Sequence, residues 1–279
     1  METLTIENND AKLYTSIHPN AGRETIILLH GGPGVPDDLI SITEMLASSF
    51  QIISFHQRGT GLSPSCKDYS LDRYLYDIDT IARYFKLDKF HLFGHSWGGL
   101  YAQIYAEYSP GNISSLFLCS PSSGTNETWK KTEKEVMQFN KNNASKKEWS
   151  IMGWNSLLGM FGSDKAYQKL FKQVLKNYHK HYFEVEIEDK FLNKIHTKPV
   201  NKTRKEIVKY KFLSILNKPN YPITITYGEN DVYGESKKEL LKRFPTAKVE
   251  TIEKCGHIPW KHNPKAFNSI LNRFYLEKE

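Results

Sequence analysis

Short apolar runs alternate with amphipathic stretches over the first 121 residues of the chain. The runs are rich in β-branched and aromatic residues, as is typical of buried strands, and they lie at residues 25–30, 50–56, 89–94 and 113–120. Apolar positions with helical spacing fall between them, at residues 38–49, 70–87 and 98–108. Ser70 is the first residue of the second stretch, where we expect it to cap the helix. Apolar strands that alternate with helices predict a parallel sheet covered on both faces.

The alternation stops after residue 121 and resumes at residue 222. The segment between, 122–221, is helical in pattern, rich in aromatic residues and lysine, and without a convincing parallel strand. Beyond it we expect strands at 222–228 and 248–254 and helices at 236–244 and 264–278. Residues 3–8 and 12–18 indicate an antiparallel hairpin at the sheet edge. We predict one α/β core, residues 1–121 and 222–279, with 122–221 inserted as a helical cap.

The composition fits a globular domain. The 279 residues are 39% hydrophobic and 13% aromatic, enough for a packed core. No apolar run is long enough to cross a bilayer, and the opening METLTIENND lacks the basic and apolar regions of a secretory signal. Cys66, Cys119 and Cys255 are widely spaced and form no CxxC pair, which argues against a disulfide framework and a zinc site. We expect a cytoplasmic protein that binds no metal.

Positive charge is concentrated in the predicted cap. The chain has a net charge of +7, and residues 125–218 hold 20 Lys and Arg against 10 Asp and Glu, a net of +10. The rest holds 18 against 21, a net of −3. A solvated, lysine-rich surface accounts for this excess, and attraction to an anionic substrate or surface is the alternative. No nucleic-acid-binding motif accompanies the charge, so we expect no nucleic-acid partner.

A serine among glycines lies between a predicted strand and a predicted helix. The segment Gly94-His95-Ser96-Trp97-Gly98 fits the pattern G-x-S-x-G in the context that gives the pattern meaning. A serine in such a sharp turn adopts a strained backbone, and glycines two residues away on either side avoid collisions. Its hydroxyl then stands at the carboxyl edge of the sheet, where open α/β sheets bind ligands. We therefore interpret Ser96 as a nucleophile.

A serine nucleophile needs a base, and the base needs a carboxylate that orients it. Asp231 follows one predicted strand directly, and His257 follows the next. The chain order Ser96, Asp231, His257, with each residue at the carboxyl end of a strand, is the order of an α/β-hydrolase triad. We predict that these three residues are catalytic.

Glycine-rich backbone follows the strand at 25–30, in the sequence HGGPG (30–34). Backbone N–H groups in a glycine turn can approach the oxyanion of a tetrahedral intermediate closely. The helix that begins after Ser96 also offers N–H groups at its N-terminus. We therefore predict that the N–H groups of Gly32 and Trp97 form the oxyanion hole, and that His30 is structural.

Five motifs in this order resemble the α/β-hydrolase superfamily, and more narrowly the proline iminopeptidase group. They are HGGPG (30–34), QRGTGLS (57–63), GHSWGG (94–99), GEND (228–231) and GH (256–257). The resemblance covers residues 25–121 and 222–275 well and the middle segment poorly. It implies a mostly parallel eight-stranded sheet, a helical cap after the sixth strand, and serine catalysis without metal or cofactor. Members of the group release N-terminal proline or other residues from short peptides, while relatives cleave esters, amides or lactones.

The chain departs from the iminopeptidase pattern at two places. Iminopeptidases typically have the sequence D-Q-R-G where this chain has His56-Gln57-Arg58-Gly59. His56 therefore replaces an aspartate, at a position we expect to be structural. In the cap, the family's W-x-x-W-E segment supplies a carboxylate for the substrate's amino group, but WSIMGWNS (149–156) has Asn155 after Trp154. By this resemblance Trp149, Trp154 and Asn155 are candidate substrate-binding residues. Glu148 and the acids of 183–189 are possible substitutes for the missing carboxylate.

Three functions are consistent with these observations. The first is an aminopeptidase of the proline iminopeptidase type, acting on short peptides through an acyl-enzyme. The second is a hydrolase of esters, amides or lactones whose apolar cap accepts a small neutral or anionic substrate. The third is a ligand-binding protein on a hydrolase scaffold, since a fold does not fix a function. The overall motif set favours the first.

Overall fold

The computed structural model describes residues 1–217 and 219–277, and these residues form one eight-stranded sheet. Its strands are β1 (Glu2–Asn8), β2 (Ala11–His18), β3 (Thr25–Leu29), β4 (Gln51–Phe55), β5 (Phe90–His95), β6 (Ile113–Cys119), β7 (Ile223–Gly228) and β8 (Lys248–Ile252). They lie in the order β1-β2-β4-β3-β5-β6-β7-β8. All pairs from β4 to β8 are parallel. This confirms the predicted α/β-hydrolase fold with a mostly parallel sheet.

The N-terminal hairpin forms as predicted and also joins the main sheet. β1 pairs with β2 in antiparallel register, from Glu2 opposite Ile17 to Asn8 opposite Ala11. β2 then pairs antiparallel with β4, so β1 alone lies at this edge.

The helices flank the sheet and fill the segment between β6 and β7. Over the described residues they are α1 (Ile40–Leu46), α2 (Leu71–Tyr84), α3 (Trp97–Tyr108), α4 (Asn126–Asn143), α5 (Lys146–Met160), α6 (Asp164–His179), α7 (Asp189–Leu192), α8 (Thr197–Lys209), α9 (Lys237–Arg243), α10 (Pro259–His262) and α11 (Pro264–Tyr275), with a 3₁₀ turn at Pro110–Asn112. No helix within this part of the chain is long and apolar enough to span a membrane.

Two apolar clusters hold helices against the two faces of the sheet. Ile26 and Leu28 of β3 belong to the cluster that includes α1 and α11. Ile27 and Leu29 belong to the cluster that includes α2 and α3. Successive strand residues face opposite sides, so a continuous apolar strand is buried by helices on both faces. This arrangement explains why the buried strands are continuous apolar runs in the sequence.

Some helix ends differ from the prediction. α1 was expected over 38–49 but spans Ile40–Leu46, because Leu39 before it has a left-handed backbone (φ 50°) that no helix can contain. α2 begins after Ser70 as predicted, but the Ser70 side chain makes no capping hydrogen bond. Instead, Asp68 Oδ1 accepts a hydrogen bond from the Ser70 N–H at 2.8 Å. The last helix ends at Tyr275, and its predicted end, Lys278, lies outside the described residues.

Helices α4 to α8 lie between β6 and β7 in the chain, and the described residues between these strands form no strand. We call this segment, residues 122–221, the insertion, and we propose that it caps the core. It contacts the carboxyl edge of the sheet at several points. Trp129 of α4 lies edge-on to Trp97 (ring centroids 6.3 Å apart), and Tyr178 of α6 lies edge-on to His257 (5.1 Å). Val35 packs with apolar residues of 185–195.

Candidate active site

Ser96 occupies a strained turn between β5 and α3. Its backbone has φ 55° and ψ −116°, outside the regions that side-chain-bearing residues normally adopt. The turn is held by the end of β6: the Ser96 N–H donates to the Cys119 carbonyl (3.0 Å), and the Ser96 carbonyl accepts from the Ser122 N–H (3.0 Å). Strain of this kind persists only where surrounding contacts fix the backbone, and it is concentrated at functional sites. Ser96 itself is partly exposed.

The two motif glycines are required by close backbone approaches. A Cβ atom on Gly98 would collide with the carbonyl groups of Leu29, the last residue of β3, and of His30, which follows it. A Cβ on Gly94 would collide with the backbone of Gly98. The glycines therefore let α3 pack against β3 and β5 at the start of the helix, in addition to relieving the turn around Ser96.

The structure brings the three predicted residues into one hydrogen-bonded chain. Ser96 Oγ lies 3.0 Å from His257 Nε2, and His257 Nδ1 lies 3.0 Å from Asp231 Oδ1. An ionised carboxylate only accepts hydrogen bonds, so the Nδ1–H must donate to Asp231. The neutral imidazole then accepts at Nε2 from the Ser96 hydroxyl. This orientation is the one in which a histidine can remove a proton from serine.

Asp231 is held as a charged group inside the protein. Its side chain is fully buried, and burial by itself would raise the pKa of the carboxyl. The facing His257 and a hydrogen bond from the Ser120 hydroxyl to Oδ2 (2.6 Å) outweigh burial and lower the pKa of Asp231 to about 2. The site therefore holds a fixed negative charge behind His257, which stabilises an imidazolium when it forms.

The glycine turn after β3 lies beside Ser96. A Cβ on Gly31 would stand 3.1 Å from Ser96 Cβ, so the turn passes close to the nucleophile candidate. Gly32 has φ +60°, and Trp97 is the first residue of α3. Both predicted oxyanion donors thus belong to backbone segments next to Ser96, and their role stays a prediction. His30 bonds to backbone, as expected for a structural residue: its Nδ1 lies 2.8 Å from the Gly31 carbonyl oxygen.

Sequence reasoning missed two hydroxyl groups at this site. The Tyr233 hydroxyl lies 3.1 Å from Ser96 Oγ and 2.7 Å from Ser122 Oγ. Both residues follow the carboxyl end of a strand, β7 and β6, which is the signal that could have found them. A further anchor is His95, whose Nε2–H donates to the His257 carbonyl at 2.9 Å and so holds the His257 loop against β5.

The predicted substrate-binding residues of the insertion differ in exposure and are not hydrogen-bonded to the triad in the described part of the protein. Trp154 is 62% exposed, Asn155 is buried at 7%, and Trp149 is partly buried. Among the described residues, no hydrogen bond or ring contact joins these side chains to Ser96, Asp231 or His257. Their role in substrate binding stays a prediction.

The acids proposed as substitutes for a cap carboxylate are engaged elsewhere or face solvent. Glu148 forms a capping box with Ser145 at the start of α5: its Oε2 accepts from the Ser145 N–H at 2.8 Å. In the segment 183–189, Ile187 is buried while every acidic residue is exposed. Among the described residues, Asp231 is the only acidic side chain that hydrogen bonds with Ser96 or His257. The part of the chain that the structure covers also holds no cluster of three or more His, Cys, Asp or Glu that could bind a metal.

Comparison with known proteins extends these observations. The sequence pattern of the alpha/beta hydrolase fold family matches residues 24–264. A proline iminopeptidase of Clostridioides difficile (strain 630) is 24% identical over 275 residues, covering 91% of this chain and 90% of that protein. The structure of a Mycobacterium smegmatis proline iminopeptidase is similar with a TM-score of 0.72, at 15% identity over 98% of this chain and 97% of that one. A Bacillus subtilis carboxylesterase has a TM-score of 0.67, at 13% identity over 100% and 92%.

Proposed function

Because the chain belongs to the alpha/beta hydrolase fold family, we propose that it is a serine hydrolase in which Ser96 is the nucleophile, His257 the general base and Asp231 the orienting carboxylate. The observation that carries this proposal is the continuous hydrogen-bonded chain from Ser96 Oγ to Asp231, at the carboxyl edge of the sheet. The strained, partly exposed backbone at Ser96 supports it, because the hydroxyl is both fixed and accessible.

The proposed reaction has two halves. His257 Nε2 takes the Ser96 proton as Oγ attacks the substrate carbonyl, and the negative charge moves to the carbonyl oxygen, where the N–H groups of Gly32 and Trp97 stabilise it. The imidazolium, stabilised by Asp231, then gives its proton to the leaving amine or alcohol, and an acyl-Ser96 ester remains. Water, activated by the same histidine, hydrolyses this ester and restores the serine hydroxyl.

The first candidate activity is the release of N-terminal residues of the proline type from short peptides. The support is the set of relatives named proline iminopeptidases, one of which matches over nine-tenths of both chains at 24% identity. An aminopeptidase of this kind must bind a free ammonium group, and a carboxylate partner is the strongest way to do so.

The second candidate is hydrolysis of esters, lactones or amides that lack a free amine. It is favoured by two observations on the candidate cap acids: Glu148 caps helix α5, and the acidic residues of 183–189 are exposed. A buried ammonium without a charged partner would be poorly compensated, at a cost of roughly 1.5–3 kcal/mol. A substrate without a charge at this position avoids that cost.

Replacing Ser96 with alanine tests the nucleophile. Ser96→Ala should fold as the parent does and lose turnover by about 10⁶-fold, because the proposed triad acts as a unit. A fluorophosphonate should label the parent at Ser96 alone, as peptide mass mapping would show, and should not label the variant. Ser150→Ala, an exposed serine on α5, is the matched control and should react as the parent does. Turnover that survives in Ser96→Ala would contradict the proposal, and so would a parent that neither turns over an ester nor reacts with the reagent.

The two candidates differ in their use of the amine. Proline p-nitroanilide and its N-acetyl form are compared with p-nitrophenyl esters on the same protein, with Ser96→Ala as the blank. We expect less than a tenfold preference in kcat/KM for the free amine, because among the described residues no acid other than Asp231 hydrogen bonds with Ser96 or His257. A preference of a hundredfold or more, about 2.7 kcal/mol, would instead establish an ammonium site and favour the first candidate.

A further inference from the structure

The hydroxyl of Tyr233 is the only described side-chain group besides His257 that hydrogen bonds with Ser96 Oγ. Tyr233 is 5% exposed, and its ring also lies edge-on to His257, with centroids 5.1 Å apart. Its backbone N–H donates to Asp231 Oδ1 at 3.3 Å. One residue thus contacts all three members of the proposed triad.

The number of available protons fixes the direction of each hydrogen bond. Ser96 has one hydroxyl proton, and it is donated to His257 Nε2. The contact between Tyr233 and Ser96 (3.1 Å) must therefore use the tyrosine proton, with Ser96 Oγ as acceptor. The tyrosine oxygen then accepts from the Ser122 hydroxyl at 2.7 Å. The result is one directed chain: Ser122 to Tyr233, Tyr233 to Ser96, Ser96 to His257, and His257 to Asp231.

The position of Tyr233 is itself fixed by the protein on both sides. The loop after it is held by Glu135 of α4, whose carboxylate accepts from the N–H groups of Gly234 (2.9 Å) and Ser236 (2.8 Å). Ser122 is buried, and its N–H donates to the Ser96 carbonyl, so acceptor and donor belong to one rigid unit. A hydrogen bond between groups already held in place costs little entropy to form.

We propose that Tyr233 is a positioning residue for the nucleophile, which holds the Ser96 hydroxyl toward His257 and stabilises the charge that develops on Oγ as its proton leaves. This inference rests on the proposed function, because it requires Ser96 to be the nucleophile. Tyr233 keeps its own proton throughout, and the Ser96 proton goes to His257 and then to the leaving group. When Oγ becomes an ester oxygen, it is a weaker acceptor, so the tyrosine contact is strongest while charge is on the serine.

The tyrosine is suited to donate over a wide pH range. Burial raises the pKa of Tyr233 to about 12, although the hydrogen bonds with Ser122 and Ser96 act in the opposite direction. The hydroxyl therefore keeps its proton at neutral pH and well above it.

Tyr233→Phe removes the donor and leaves the ring. We expect kcat on a p-nitrophenyl ester to fall by about tenfold with KM changed by less than twofold, since one hydrogen bond to a developing charge is lost. The rate of fluorophosphonate labelling at Ser96 should fall by a similar factor, because that reaction uses the nucleophile without the substrate. A purely structural tyrosine would change the melting temperature without this matched loss in kcat and labelling.

Tyr178→Phe is the matched control. The Tyr178 ring lies edge-on to His257 at the same centroid distance as the Tyr233 ring, 5.1 Å. Within the described residues, the Tyr178 hydroxyl has no hydrogen bond to Ser96. It should retain kcat and labelling within about twofold. Ser122→Ala leaves the Tyr233 hydroxyl in place and removes only the hydrogen bond that supports it, so we expect kcat and the labelling rate to fall by about two- to threefold. This variant tests the proposal if Tyr233→Phe folds poorly.

The outcomes separate the two proposals. Parental kcat and labelling in a folded Tyr233→Phe, or in Ser122→Ala if only that variant folds, would overturn the role of Tyr233, while an inactive Ser96→Ala in the same series would leave the proposed function standing. Turnover in Ser96→Ala would overturn both.

Discussion

The carboxyl edge of the sheet and the insertion above it are stabilised in different ways. At the edge, β3 and β7 are buried along their whole length, and apolar packing on both faces fixes the ends of the strands. In the insertion, part of the interior is polar: Asn177 Nδ2 donates to Asn140 Oδ1 at 2.9 Å, with both residues at most 3% exposed. The insertion also exposes large apolar residues on and directly after α5, which are Ile151, Trp154, Leu157, Met160 and Phe161.

This difference matches the demands on each region. Catalytic groups must be held within a fraction of an ångström, and a close-packed sheet edge can do this. A cover over the site must only exclude water and select substrates, so it tolerates polar contacts and exposed apolar surface. All residues that we propose for the chemistry come from the edge, and Ser122, which supports Tyr233, is the first residue of the insertion.

The two regions meet next to His257. His262 Nδ1 accepts from the Gly256 N–H at 3.0 Å, so its Nε2–H is free to donate to His179 Nδ1 of α6 at 2.9 Å. Tyr182 stacks on His262, with centroids 3.9 Å apart. Burial lowers the pKa of His179 to about 4 and that of His262 to about 3, so both rings are neutral and the contact persists near neutral pH.

After that of Ser96→Ala, the largest effect in the comparison should follow the change of one atom in Asp231, also at the sheet edge. Asp231→Asn keeps the size of the side chain but removes the charge behind His257 and favours the wrong imidazole tautomer, so we expect kcat/KM to fall by about 10⁴-fold with the fold retained. In the parent, the low pKa of Asp231 keeps the carboxylate ionised down to about pH 2, so protonation of Asp231 should not contribute to the pH dependence of kcat/KM near neutral pH.

Glu135→Gln is a suitable control, because it changes an acid near Tyr233 that belongs to the insertion. It should lose far less activity than Asp231→Asn. A loss of less than tenfold in Asp231→Asn would mean that another group orients the histidine and would break the distinction between the two regions.

The same contrast explains what could be predicted from the sequence. The sequence predicted every parallel strand to within two residues at each end. For β3 to β7 the reason is composition, because a strand buried on both faces is continuously apolar, whereas β8 at the edge is mostly exposed. Ser96, Asp231 and His257 could be brought together because each follows a strand, and parallel strands align their carboxyl ends. Local geometry was harder to predict. The left-handed backbone at Leu39 delays the start of α1, and the Ser70 side chain makes no capping hydrogen bond, while its N–H donates to Asp68.

Contacts that depend on loop conformation could not be predicted from the sequence. Tyr233 is 137 residues from Ser96 in the chain, and no periodic pattern indicates that its hydroxyl reaches the serine. The insertion was predicted to be helical, but helical spacing does not say which face of α5 meets the site. The family resemblance suggested Trp154 and Asn155 as substrate-binding residues, yet the two side chains differ greatly in exposure, at 62% and 7%.

The smallest effect should come from the outer face of the insertion. Trp154→Ala removes a side chain that is mostly in water, so we expect the free energy of unfolding to change by about 0.5 kcal/mol or less. Met152→Ala, on the same helix, removes a side chain that is 4% exposed and packed toward α6, and should cost about 2–5 kcal/mol in a denaturant titration. The pair measures how one helix divides between packing and exposed surface. The KM of Trp154→Ala tests the role of this side chain. An unchanged KM on p-nitrophenyl esters and proline p-nitroanilide agrees with the exposure of Trp154. A tenfold rise in KM with stability retained would mean that α5 moves onto the substrate and that the insertion, too, contributes directly to the site.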